Sequence, residues 1–310
     1  MNDTLFAVDT LRLNFSSQSV FTLNLIIAAI MFGVALEMKP ANFKALVNNP
    51  KPVFVGFFSQ FFMLPLVTFL LILILGNLIS QPVAIGLILV SVCPGGNISN
   101  FFSALAKANI ELSVSLTFIS TLLSVILIPF NFYFWTNLYR LQNPVNGLIS
   151  INMMEVLINV FIIIVIPSTL GMFFSWKFPL LSKRLVIPAK IFSLLAFFGF
   201  IVIGVFNNLA NLNRIVLFIF IIVLIHNSLA LFTGFFIAKL FRMNEKNVKT
   251  ITIETGIQNS GLGLSLILNP NIFPSSYPTA GMVFVAAWWG VWHIISGLFL
   301  SLFWLLRKQN

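Results

Sequence analysis

Long apolar runs, cut at intervals by short groups of charged and turn-forming residues, set the pattern of this chain. Two stretches, Pro52 to Ala106 and Thr255 to Leu306, contain no Asp, Glu, Lys or Arg. About 20 apolar residues carry a helix across the hydrocarbon core of a bilayer. Each stretch is too long for one crossing and holds two, or most of two. Turn residues divide the first from Gly76-Asn77 to Gln81-Pro82, and the second from Asn269-Pro270 to Tyr277-Pro278. The remaining runs end at charge and at Pro, Asn or Gly. The pattern predicts an all-α membrane protein with nine transmembrane helices, at 20–38, 52–76, 82–107, 111–135, 149–175, 185–207, 213–241, 247–269 and 279–306. Every connection is short, so one compact transmembrane domain over 1–310 is expected, with no soluble domain.

Composition agrees with this. Hydrophobic residues make up 59% of the chain, charged residues 8%, and the mean hydropathy is +1.04. Soluble domains carry roughly a quarter charged residues, so a water-soluble globular protein is excluded. The formal charge of +10 would suit nucleic acid only on a basic face interleaved with aromatics, and here the basic residues stand singly or in small groups between apolar runs. On one side of the predicted bundle lie fourteen: Lys39, Lys44, Lys51, Lys107, Lys177, Lys183, Arg184, Lys190, Lys239, Arg242, Lys246, Lys249, Arg307 and Lys308. The other side has three, Arg12, Arg140 and Arg214. Such an excess marks the cytoplasmic side. The reading is a multi-pass protein of the cell membrane with its N-terminus outside and its C-terminus in the cytoplasm. The anionic inner leaflet answers the positive charge, and neither nucleic acid nor a protein partner is called for. The single cysteine, Cys93, excludes an intrachain disulfide and a Cys-built zinc site.

Two predicted helices are interrupted by polar and helix-breaking residues. The third contains Cys93-Pro94-Gly95-Gly96-Asn97-Ile98-Ser99-Asn100, and the eighth Glu254-Thr255-Gly256-Ile257-Gln258-Asn259-Ser260-Gly261. Proline removes a backbone donor, and each glycine lowers helix propensity by about 1 kcal/mol. Such glycines can serve close helix packing. Paired interruptions in corresponding halves of a chain point instead to a transporter binding site inside an inverted repeat. Helices 2, 3 and 4 would then correspond to 7, 8 and 9, and helix 1 to helix 6.

Glu254 is the acidic residue well inside a span. A central carboxylate costs roughly 2.5–3.5 kcal/mol on insertion scales. No Lys or Arg is predicted at its depth, so a proton or a bound cation must neutralise it. Gln258 follows one turn on. Na⁺ suits a set of oxygens with little charge, which Glu, Gln, Ser, Thr, Asn and freed carbonyls supply. Ser113, Thr117 and Thr121, spaced by four, offer such a face on helix 4, or else bond between helices or back to the preceding turn. Helix N-termini exposed at the breaks, near Asn97 and Asn259, favour an anion. Cation and anion bound together are a symporter's ground plan.

These residues carry a resemblance. The chain resembles the bile acid:sodium symporter family in Met31-Phe-Gly-Val-Ala-Leu-Glu-Met-Lys-Pro40, Gln60 followed by Pro65, Cys93 to Asn100, Glu254 to Asn259 and His293-Ile-Ile-Ser-Gly297. The resemblance covers nearly the whole chain, in the form of the nine-helix animal bile-salt cotransporters. It implies a core domain (about 52–135 and 213–306) moving against a panel domain (about 20–38 and 149–207). It also implies two coupling sodium ions. One would use Ser99, Asn100, Ser113, Thr117 and Glu254; the other Gln60, Glu254, Gln258 and the carbonyls of Thr255 and Ile257. Asn97, Asn259 and His293 would face the substrate, although Ile294 stands where ten-helix bacterial members often have Asn.

The implied activity is sodium-coupled uptake of an organic anion, a bile salt or small carboxylate, by alternating access. The alternative is a proton-coupled or efflux carrier of related architecture. An enzyme is not expected. Asp3 and Asp9 are the only aspartates, and the two histidines, His226 and His293, stand far apart for zinc hydrolysis. A passive channel would need no dual cation and anion site.

Overall fold

The computed structural model describes residues 17–37, 49–96, 98–142, 152–206, 214–274 and 276–307. Among them the regular structure is helical, apart from one isolated backbone bridge. The helices are α1 (Ser17–Ala35), α2 (Pro50–Phe58 and Leu64–Leu75 around a π-turn at Ser59–Met63), α3 (Gln81–Val92), α4 (Ser99–Leu105) and α5 (Ile110–Gln142). Then follow α6 (Met153–Val160 and Ile166–Lys177 around a π-turn at Phe161–Val165), α7 (Pro179–Phe206), α8 (Arg214–Leu240), α9 (Glu245–Gly256), α10 (Ser260–Ile267) and α11 (Ala280–Leu306). Six are long and apolar enough to cross a membrane: α1, α2, α5, α6, α8 and α11. The remaining predicted stretches are helical as well, as α3 with α4, as α7, and as α9 with α10.

Two ends differ most from expectation. α5 runs on to Gln142 because Thr136 and Tyr139 are still buried beyond the predicted stop at 135. α7 begins at Pro179, ahead of Lys183 and Arg184, since proline suits the first helical position.

Both π-turns have the same cause. Pro65 and Pro167 each follow the π segment by two residues. A proline inside a helix removes a donor and crowds the carbonyl four residues back. The chain widens one turn instead, and the N–H of Leu64 reaches Ser59 O, as that of Ile166 reaches Phe161 O. In α2 the widened turn holds Ser59 and Gln60 inward, fully buried.

The bundle is polar within and apolar without. Large apolar side chains such as Phe21, Ile74, Phe232 and Phe299 are exposed, while Gln60, Ser99, Thr117, Asn227 and Glu254 are buried. That is the distribution for a protein whose surrounding solvent is lipid. α1, α6 and α7 pack together, with small residues at the contact. A Cβ at Gly171 would lie 2.8 Å from Ala35 Cβ, and one at Gly33 3.1 Å from Ala189 Cβ. α8 packs on α2, α9 and α11, and α3 on α11. Two hydrogen bonds tie the three-helix group to the rest, Ser265 Oγ to Asn24 Oδ1 at 2.5 Å and Asn269 Nδ2 to Asn159 Oδ1 at 2.6 Å.

Candidate functional site

The two interrupted helices meet at their breaks. Pro94 biases the residue before it away from helix, and Cys93 is extended, at φ −66° and ψ 154°. Ile257 is extended too, at φ −114° and ψ 98°. The two extended segments lie antiparallel, with Gly95 opposite Gln258. Gly96 N–H donates to Ile257 O at 2.7 Å and Asn259 N–H to Pro94 O at 2.8 Å. Each break thus satisfies backbone groups freed by the other, as non-helical backbone inside a bilayer requires. Close approach depends on glycine. A Cβ on Gly95 would lie 2.9 Å from Glu254 Oε2, and one on Gly96 3.0 Å from Gln258 O.

Glu254, 1% exposed, ends up beneath this crossing. Three hydroxyls donate to its carboxylate: Ser99 to Oε1 at 2.7 Å, Ser113 to Oε1 in a short hydrogen bond, and Thr117 to Oε2 at 3.1 Å. Asn100 Oδ1 lies 2.8 Å from Ser113 Oγ and 3.4 Å from Thr117 Oγ1, a second acceptor within reach of each hydroxyl's one proton. α4, α5 and α9 therefore converge on one carboxylate. Thr121, on the same predicted face, turns away and donates to Thr117 O at 2.6 Å. The one ion pair recorded among the described residues, Lys239 with Glu245, is exposed and elsewhere in the bundle.

Gln60 joins the group from the π-turn of α2. Its Nε2 would lie 3.3 Å from a Cβ on Gly95, the same point that Glu254 Oε2 approaches to 2.9 Å. Gln258 Nε2 donates to Thr255 O at 2.8 Å. Gln60 Nε2 and Gln258 Oε1 are buried without a hydrogen-bond partner among the described residues. Such orphaned polar atoms are costly unless something answers them. Thr255 O and Ile257 O each accept one protein hydrogen bond and keep a second lone pair. The structure thus gathers Gln60, Ser99, Asn100, Ser113, Thr117, Glu254, Thr255, Ile257 and Gln258 around the crossing.

The three residues expected to face the substrate fare differently. Asn97 lies outside the described residues. Asn259 is the N-cap of α10, and its Oδ1 accepts from Leu262 N–H at 3.1 Å. The helix end expected to receive an anion is thus partly answered by its own asparagine. His293 is buried, and its Nδ1 is 2.7 Å from Trp289 O, a bond within α11. It sits one turn before Gly297, where a Cβ would lie 2.9 Å from Ile257 Cδ1. α11 therefore passes hard against the crossing.

Sequence reasoning missed three contributors. Ser59 shares a 2.9 Å hydrogen bond with Thr255 Oγ1. Asn227, fully buried, donates from Nδ2 to Gly256 O at 2.7 Å, and Ser296 Oγ donates to Asn227 Oδ1 at 2.6 Å. An amide in the middle of an apolar run was the available signal for Asn227. No group of three His, Cys, Asp or Glu that could hold a metal is found among the described residues. The oxygens around Glu254 are instead neutral hydroxyls, amides and carbonyls.

A lipid-adapted bundle with two half-helix pairs meeting over a buried carboxylate is the frame of a membrane transporter. Residues 24–216 match the model of the Sodium Bile acid symporter family. The chain is similar to an uncharacterized sodium-dependent transporter of Bacillus subtilis (strain 168), 32% identical over 303 residues that cover 96% of this chain and 89% of that protein. It is 28% identical over 281 residues to the ileal sodium/bile acid cotransporter of Mus musculus, covering 87% of this chain and 78% of that one. A probable chloroplastic sodium/metabolite cotransporter of Oryza sativa subsp. japonica is 28% identical over 284 residues, 90% of this chain and 62% of its own length. The chain belongs to the sodium/bile acid symporter family. It is a multi-pass membrane transporter of the sodium-dependent type, not an enzyme. The family match ends before α9, so Glu254 lies beyond it.

Proposed function

We propose that the protein is a symporter that takes up an organic anion together with two sodium ions by alternating access. The observation that carries this reading is Glu254, a buried carboxylate met by hydroxyls and by no basic side chain among its recorded partners. A hard monovalent cation at that point would neutralise the carboxylate and exchange the hydroxyls' role from donor to lone-pair ligand. Ser99, Asn100, Ser113, Thr117 and Glu254 would hold one ion. Gln60, Glu254, Gln258 and the carbonyls of Thr255 and Ile257 would hold the other. The orphaned Gln258 Oε1 supports this assignment, because it is an acceptor in want of a positive partner.

The same proposal reads the helical segments as nine crossings, with the N-terminus outside and the C-terminus cytoplasmic. The packed trio α1, α6 and α7 would be the panel, and the remaining helices an inverted-repeat core that rocks against it. Asn97, Asn259 and His293 would face the anion, with Nδ2 of Asn259 as one donor. The substrate is a carboxylate or sulfonate with an apolar body. Bile acid and metabolite in the names of the mouse and rice relatives support that class. A tenfold sodium gradient supplies about 1.4 kcal/mol per ion, and roughly 100 mV adds about 2.3 kcal/mol per net charge. Two ions with one monoanion give roughly 5 kcal/mol, enough for accumulation of more than about a thousandfold.

Uptake into proteoliposomes over a panel of organic anions tests the proposal, in sodium or potassium medium at constant pH. Accumulation that needs sodium is the expected result. Accumulation that is absent at constant pH in either medium and appears in potassium medium once a pH gradient is imposed would establish a proton-coupled carrier instead.

A further inference from the structure

The amide of Asn227 uses both of its ends at the crossing. Its Nδ2 donates to the carbonyl of Gly256, the last residue of α9, and its Oδ1 accepts from Ser296 Oγ on α11. Ser296 Oγ also lies 3.3 Å from His293 O. The Gly256 carbonyl is one of those a helix end leaves without an intrahelical partner, and it stands between the carbonyls of Thr255 and Ile257. Fixing its peptide plane limits how far the two neighbouring planes can turn. A side chain as short as asparagine can reach because α8 and α9 are in backbone contact. A Cβ at Gly234 would lie 2.8 Å from Ile251 O.

We infer that Asn227 and Ser296 are positioning residues, a hydrogen-bonded relay that holds the broken end of α9 in cation-binding geometry and ties it to α11 one turn from His293. The relay rests on the cation site proposed above. Neither side chain touches the ion. Asn227 sets the angle of the carbonyls that do, and Ser296 fixes Asn227. Because Ser296 has a single proton and two acceptors within reach, a shift of α11 around its substrate side changes which carbonyl it serves, and so loosens or tightens the hold on Gly256.

The test uses purified full-length protein with sodium alone as the probe. Heat stability is measured against rising NaCl, with KCl at matched ionic strength, for the parent, Glu254→Gln, Asn227→Leu, Ser296→Ala, Ser296→Thr and Thr233→Val. Thr233 bonds only within α8, to Leu229 O at 2.7 Å, and serves as a control for local damage. The parent is expected to be stabilised by sodium in preference to potassium, and Glu254→Gln to lose that preference. Loss of a buried hydrogen bond to a carbonyl should raise the half-saturating sodium concentration on the order of tenfold in Asn227→Leu and about threefold in Ser296→Ala. Ser296→Thr should restore it, and Thr233→Val should leave it unchanged. If Asn227→Leu does not fold, Ser296→Ala decides alone. A parent and Glu254→Gln that behave as stated, with relay variants that only melt earlier at an unchanged sodium midpoint, overturn the relay and leave the cation site standing. A parent stabilised no more by sodium than by potassium overturns both.

Discussion

The hydroxyl of Ser99 donates to Oε1 of Glu254 across 2.7 Å, although 155 positions separate them in the chain. The bond joins the first residue of α4 to the last turn of α9. It therefore links the two interrupted helices side chain to side chain, beneath the point where their backbones already pair through Gly96 and Ile257. One carboxylate is thus sensitive to the placement of both breaks, and the predictions below follow from that dependence.

Replacing Glu254 by Gln keeps its size but removes the charge and turns one acceptor oxygen into a donor. Sodium-stimulated uptake should vanish, while size-exclusion profile and helical content stay those of the parent. Uptake that persists undiminished in this variant would sink the assignment of Glu254.

Ser113→Ala and Thr117→Val each remove one donor from a buried carboxylate, a loss of about 1.5–3 kcal/mol for a bond to a charged group. Each should weaken sodium activation on the order of tenfold or more. Thr121→Val is the contrasting case, because Thr121 bonds only back to Thr117 O. It should change sodium activation less than about threefold, and the three variants compared in one sodium titration check the difference.

Gly95→Ala places a methyl group 2.9 Å from Glu254 Oε2 and 3.3 Å from Gln60 Nε2. Overpacking of this kind costs about 1–3 kcal/mol. The carboxylate can yield only by leaving its hydroxyls, so the variant should lose sodium affinity along with heat stability. Paired measurements of melting temperature and half-saturating sodium would reveal it.

Gly171→Val tests the trio α1, α6 and α7 separately. The added side chain would drive α6 off α1 at Phe32 and Ala35. Membrane helices associate through close packing of small residues, so the variant should melt earlier, by at least about 1 kcal/mol. Its sodium midpoint should remain that of the parent, because no ligand of the proposed ions lies on these helices.

Much of the molecule was legible in its sequence. The apolar runs located the helical stretches of the described residues, because lipid permits few alternatives to a helix of bilayer length. Pro94, Gly95 and Gly96 announced one break, and Gly256 the other. The sequence also pointed to Glu254, since a lone carboxylate in an apolar run has no cheap explanation. What stayed hidden was pairwise. Nothing in the spacing of Ser113, Thr117 and Thr121 says that the third turns back on its own helix. Nothing near Gln60 says that Pro65 widens the turn holding it inward. Asn227 reads as one more buried amide until its partner carbonyl at Gly256, on a different helix, is seen. Orientation around a helix axis is set by neighbours, and neighbours are not written in a single strand of text.

The two ties from Asn24 and Asn159 reach Ser265 in α10 and Asn269 two residues past its end, a corner of the three-helix group apart from the packing of α6 on α5. That corner is a place to fit a brake. Asn24→Cys and Ser265→Cys, at two side chains in hydrogen-bonding contact, are placed to be joined as a reducible disulfide. If the trio moves against the core as proposed, a carrier clamped there and then released by reductant would stop and restart on command, turning a pair of ordinary amide contacts into a handle on its working cycle.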